Sequence, residues 1–154
     1  MFFIKHVGFY EKMAKKKELH PYDIQEGTPG VHPLLSRLSN DGKLIATAFT
    51  SGKIMIVELE TGKGLLSIND YAGTIMSMSF SPDNKQIAIA VNLFDGTRGV
   101  RIVELANAFE SHPLNISILN AEDMISNIKS VAYSKDGKEL IVNYCSDIKS
   151  IELR

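Results

Sequence analysis

Four histidines, one cysteine and three evenly spaced glutamates are the residues of this 154-residue chain that could carry chemistry. A metal site needs ligands at helical or turn spacing. His6, His20, His32 and His112 are scattered, and none is spaced as a ligand partner of another or of Cys145. His20, His32 and His112 each precede a proline, which places them in loops or at strand starts. Cys145 follows an apolar run, so it is expected as a buried packing residue on a central strand, not a nucleophile. Glu58, Glu104 and Glu152 lie 46 and 48 residues apart. General acid–base work needs two carboxylates close together. Regular spacing makes these glutamates a repeat feature instead, each bonding local turn amides. Lys15-Lys16-Lys17 is flanked by Glu11 and Glu18 and reads as a solvated helix face. The glycines form neither a dinucleotide-binding nor a P-loop pattern. The expectation is a chain that is not an enzyme and that holds no cofactor and no metal.

The elements that would position these residues repeat. Ser39-Asn40-Asp41-Gly42-Lys43, Ser81-Pro82-Asp83-Asn84-Lys85 and Ser134-Lys135-Asp136-Gly137-Lys138 each lead into an apolar run. The motifs Ile54 to Leu59, Val100 to Leu105 and Ile148 to Leu153 follow them in turn. A period near this length with short strands marks a stacked or radial repeat. Gly42, Asn84 and Gly137 supply the left-handed residue that tight hairpins require. The spacing predicts strands at 33–39, 43–49, 53–59 and 64–68, then 75–81, 86–92, 99–105 and 114–119, then 128–134, 139–144 and 149–153. Several runs are apolar on both faces, as in a sheet sandwiched between neighbours.

Composition sets the class. The chain is 44% hydrophobic and 23% charged with a net charge of −1, so nothing in it asks for nucleic acid or an anionic membrane. One cysteine cannot form an intrachain disulfide. No apolar run approaches the roughly 20 residues of a membrane span, and no signal-peptide pattern opens the chain. A cytoplasmic location is expected.

At Ile56-Val57-Glu58-Leu59-Glu60-Thr61-Gly62-Lys63 and Ser79-Phe80-Ser81-Pro82-Asp83 the sequence resembles the WD40 repeat family. The first looks like the end of that family's strand C and the second like the end of its strand A. The resemblance covers roughly residues 33–154. It implies an all-β fold, a partial β-propeller of about three four-stranded antiparallel blades. These are 31–70, 71–121 and 122–154, the last lacking its strand D. An extension over residues 1–30 precedes them, with a strand at Phe2–Phe9 and a short helix over Tyr10–Leu19. Val57, Val103 and Ile151 stand where the family often has Trp, and the chain has no Trp at all. The family's Asp-His-Ser-Trp network is therefore not carried over, and apolar packing must replace it.

Rings of this type take four to eight blades. Three leave two apolar faces open, of the size that marks an interface. The chain is then a piece of a longer propeller, or two copies complete a ring, or the first 30 residues fold over one open face. The resemblance implies a protein–protein interaction scaffold whose partners are other proteins or a second copy. The alternatives are the propeller portion of a larger enzyme, such as a serine-peptidase gating domain, and a propeller subunit of a translation-initiation or trafficking complex. The candidate partner-binding loops carry Asp70 and Tyr71, then Phe94, Asp95 and Arg98, then Glu122 and Asp123. Phe94 with Arg98 forms the expected anchor pair, because the 93–99 loop is longer than its counterparts in the other repeats.

Overall fold

The computed structural model describes residues 31–68, 73–96, 98–105, 116–119 and 127–153. Eleven strands form three antiparallel sheets within them. The first contains β1 (Pro33–Leu38), β2 (Leu44–Phe49), β3 (Ile54–Glu58) and β4 (Gly64–Ile68). The second contains β5 (Gly73–Phe80), β6 (Gln86–Leu93), β7 (Arg98–Glu104) and β8 (Ile116–Leu119). The third contains β9 (Ile128–Tyr133), β10 (Glu139–Tyr144) and β11 (Ile148–Glu152). Every sheet is a meander in which sequence neighbours are hydrogen-bonded neighbours. All eleven expected strands are present, with ends within two residues of expectation. The strand at Phe2–Phe9, the helix at Tyr10–Leu19 and the whole 1–30 extension lie outside the described residues.

The three Ser-x-Asp turns share one hydrogen-bond pattern. The Ser39, Ser81 and Ser134 hydroxyls donate to Asp41, Asp83 and Asp136 at 2.6, 2.6 and 2.7 Å. The same serine oxygens accept the amides of Leu44, Gln86 and Glu139 at 2.9, 2.9 and 3.0 Å. Each aspartate also accepts a lysine amide, from Lys43, Lys85 or Lys138. Gly42, Asn84 and Gly137 all take positive φ, at 70°, 59° and 75°. Asn84 does more than tolerate that geometry. Its side-chain oxygen accepts the Asn40 amide at 2.7 Å, and Asn40 Nδ2 donates to the Ser81 carbonyl at 2.8 Å. The first turn is thereby tied to the second.

This pattern gives a pH dependence. The serine hydroxyl, followed by the lysine amide, holds each aspartate below its usual value of 3.8. A carboxyl whose folded pKa is depressed stabilises the fold above its unfolded pKa and loses that contribution as pH falls through the folded one. Thermal midpoints are therefore expected to fall below about pH 4. The Asp41→Asn/Asp83→Asn/Asp136→Asn variant should be less stable at neutral pH and lose less on acidification.

Packing between sheets is asymmetric because β6 alternates large and small side chains. Ile87, Ile89 and Val91 join Met78, Phe80 and Val103 on the face toward the first sheet, meeting Ala46, Ala48, Ile54 and Ile56. Ala88 and Ala90 lie on the other face with Val100 and Ile102, against Ile128, Val131, Leu140 and Val142. The small residues let β9 approach closely enough for direct polar contacts. Ser79 Oγ accepts the Tyr133 amide at 3.2 Å, and Ser77 Oγ donates to the Val131 carbonyl at 3.4 Å. The Tyr133 hydroxyl donates to Gln86 Oε1 at 3.2 Å. Burial first, then the nearby Asp83 carboxylate, push the Tyr133 phenol up to about 12, so it stays a donor at neutral pH.

One group in the second interface is mismatched. The buried Tyr144 hydroxyl has no hydrogen-bond partner among the described residues. An unsatisfied buried hydroxyl costs roughly 1–3 kcal/mol. Tyr144→Phe is expected to raise the urea unfolding free energy by about 1 kcal/mol.

The two outer faces differ. The first sheet's outer face carries Ile45, Thr47, Met55 and Val57, all buried. The third sheet's outer face carries Glu139, Ile141 and Asn143 on β10, alternating with the inward Leu140, Val142 and Tyr144. The expectation that both outer faces are apolar is thus corrected for the third sheet. Its Leu-Ile-Val run looks uniformly apolar in sequence, yet the period of two sends polar neighbours outward with Ile141.

Candidate functional site

The strand connections segregate to two ends. The Ser-x-Asp turns share one end with Thr61-Gly62, where the Glu58 carboxylate accepts the Thr61 hydroxyl at 2.5 Å. A hydroxyl, not a turn amide, is therefore its partner. Glu58, Glu104 and Glu152 end the third strands of three separate sheets. At this end lies a cavity of about 360 Å³ lined by Ser81, Asp83, Lys85, Gln86, Glu104 and Asp136. Two of its carboxylates, Asp83 and Asp136, are already held by the serine and lysine groups of their own turns. Among the described residues no group of three His, Cys, Asp or Glu side chains is placed to hold a metal.

The opposite end carries the hairpin that bears Phe94, Asp95 and Arg98. β6 and β7 extend the hairpin of the second sheet to Leu93 and Arg98, with Asn92 paired to Arg98. Phe94, Asp95 and Gly96 form the tip. Gly96 takes φ 87° and donates its amide to the Leu93 carbonyl at 3.1 Å, which closes the turn. Phe94 is left 82% exposed at that tip. A phenyl ring in water forfeits its hydrophobic contribution unless another surface covers it.

Arg98 takes a different part. It sits on β7, half-buried, and its Nε donates to Asn127 Oδ1 at 2.7 Å. Asn92 reaches the same neighbour from β6. Its side chain bonds the Ile128 amide and carbonyl, both at 3.4 Å. The Asn127 carbonyl accepts the Cys145 amide at 3.1 Å. Arg98 thus clamps the hairpin to the start of β9, while Phe94 alone points away. Asn92 and Asn127 are residues that sequence reasoning missed. A polar residue closing the Ile-Ala-Ile-Ala-Val run was the available signal for Asn92.

Cys145 corrects another expectation. It is exposed and lies beyond the end of β10. Tyr144 takes the last inward position, so the next side chain turns outward as the strand ends. Asp95 is exposed at the hairpin tip. Asp70, Tyr71, Glu122 and Asp123 lie outside the described residues.

Three- and four-stranded antiparallel meanders stacked face to face are the arrangement of propeller blades. The C-terminal WD40 domain of Sif2 superposes on this chain with a TM-score of 0.63 over 79% of its length. The fold is that of part of a WD40 propeller. Sequence identity to the Sif2 domain is 13%, so the likeness concerns fold alone. This chain spans about a third of that domain, 34% of its length. No protein-family model matches the sequence, and no curated protein does. The three sheets are therefore blades, β1, β5 and β9 being the first strand of each.

Proposed function

We propose that the chain is a protein-interaction module that engages its partner through the end of the blades bearing Phe94. One observation carries this reading: a large aromatic ring, 82% exposed, on the tip of a hairpin whose base is fixed by the Arg98–Asn127 bond. Aromatic side chains dominate interface energetics, and a rigid base lowers the ordering cost of docking. Propeller blades commonly present loops in this way, because the sheets hold them still while the loops vary. The net charge of −1 supports a partner recognised by shape and apolar contact, without a strong electrostatic component.

Phe94→Ala is expected to weaken partner binding by about tenfold or more, as at an interface hot spot. Its thermal midpoint should match that of the unaltered chain, since the ring touches no core cluster. The comparison requires both proteins as bait against the source cell extract, followed by titration of the protein that only the unaltered bait retains. Equal retention by both baits would remove the hairpin from the interface. Arg98→Ala provides the contrast, with a lower midpoint as well as weaker binding.

A further inference from the structure

Each blade presents one face to the blade that follows it, and equivalent positions do so. The turn serines Ser39, Ser81 and Ser134 set the alignment. Leu38, Phe80 and Tyr133 are then equivalent, and so are Leu44, Gln86 and Glu139. The second set meets the first across each junction. Leu44 and Phe80 share one apolar cluster between the first and second blades. Gln86 Oε1 accepts the Tyr133 hydroxyl at 3.2 Å between the second and third. An apolar side chain thus meets an apolar one, and an acceptor meets a donor.

The third blade offers Glu139 at this position, and Glu139 does not stand alone. It pairs directly with Glu152 across β10 and β11. Leu44 and Gln86 stand opposite Glu58 and Glu104 and add no second charge. Like charges directly opposite each other weaken a sheet unless a counter-charge lies between them. Both Glu139 and Glu152 are exposed. The rest of the same face is open too. Ile141 and Ile148 are 41% and 65% exposed, whereas Ala88 and Val100, their equivalents on the second blade, are fully buried against the third. Ser130 occupies the place of Ser77, whose hydroxyl reaches the Val131 carbonyl of the following blade. This face therefore repeats the layout of an interface that the molecule already contains, with a doubled negative charge at its Ser-x-Asp end.

We infer that the outer face of the third blade receives a blade of a partner protein whose first strand carries Lys or Arg at the place of Phe80 and Tyr133. The cation would lie on both carboxylates, and the apolar part of that strand would cover Ile141 and Ile148. The superposed WD40 domain is about three times as long as this chain, so the fold accommodates further blades beside these three. The sequence holds three Ser-x-Asp turns, and the three blades use all of them, so a further blade of this kind comes from outside these residues. A second copy of the chain fits poorly. Its first blade carries Leu38 at the decisive position, which would set an apolar group on two charges. The surface lies at the other end of the blades from Phe94 and does not depend on that reading.

Benzoylphenylalanine at position 148 of the full chain, irradiated in the source cells, tests this, with the same probe at position 94 marking the other surface. The probe at 148 is expected to attach to an extended segment of a different protein. That segment should carry Lys or Arg within the next few residues, as Tyr133 follows Ile128 and Val131 on β9. Glu139→Lys/Glu152→Lys should lower this attachment by more than about tenfold without changing the thermal midpoint for the worse, and leave attachment at 94 as it was. Changing the partner's basic residue to Glu should restore attachment to the charge-reversed chain. Attachment to a second copy, attachment to a segment without a basic residue, indifference to charge reversal, or no adduct at 148 would each overturn the inference. Loss of attachment at 94 alone would instead count against the Phe94 surface.

Discussion

Gly73→Ala is expected to lower the stability of the domain by about 3 kcal/mol, enough to shift a thermal midpoint by several degrees. Gly73 opens β5 and is buried opposite Leu93. A Cβ there would stand 2.5 Å from the Asn92 carbonyl oxygen and 2.7 Å from Leu93 Cα. Both are backbone atoms of the strand paired with it, so no rotamer change relieves the overlap. β5 must separate from β6 at the end where Asn92 holds Ile128 and Arg98 holds Asn127. The damage should therefore extend to the second blade interface and to the Phe94 hairpin. Gly42→Ala is the control. Its φ of 70° strains any side chain, yet nothing lies within 4 Å of the added carbon. That variant should lose only about 1 kcal/mol. Equal losses at the two sites would show that crowding against Asn92 is not what the glycine avoids.

The strands were legible because three copies of one pattern corrected each other. A Ser-x-Asp turn, then an apolar run, then a Glu-Leu motif locates the first three strands of each blade. The resemblance then supplied the architecture. What stayed hidden is what two blades share. Asn84 reads as a substitute for glycine in its own hairpin. That it also accepts the Asn40 amide depends on how adjacent blades align, 44 residues apart in sequence. The bond of Arg98 to Asn127 was hidden for the same reason. A charged residue near a loop gives no sign that an asparagine from the next blade will receive it. Cys145 was misplaced by one position, since strand length decides whether a residue stays inward or turns out. The exposure of Phe94 was legible, since a large apolar side chain at the tip of a hairpin has no neighbour to cover it; the length of its turn was not, because β6 and β7 extend to Leu93 and Arg98.

Ile89→Ala is expected to cost about 2–5 kcal/mol, the range for removing a fully buried branched side chain. Ile89 is completely buried, pairs with Met78 across β5–β6, and faces the first blade. Its neighbour tests the opposite failure. Ala90 points to the third blade, beside Val100 and opposite β9. Ala90→Leu adds volume where the Ser79–Tyr133 bond keeps two blades close, and should cost about 1–3 kcal/mol. The two variants need not unfold the chain in the same way. In a stacked array each unit is stabilised by its neighbours, so a weakened interface can release one end first. Ile89→Ala should loosen the first blade from the other two. Hydrogen exchange should then rise in β2 and β3 before it rises in β9 and β10. Ala90→Leu should reverse that order. If both variants accelerate exchange uniformly, the three blades unfold as one cooperative unit and β6 is not the divide between two separable interfaces.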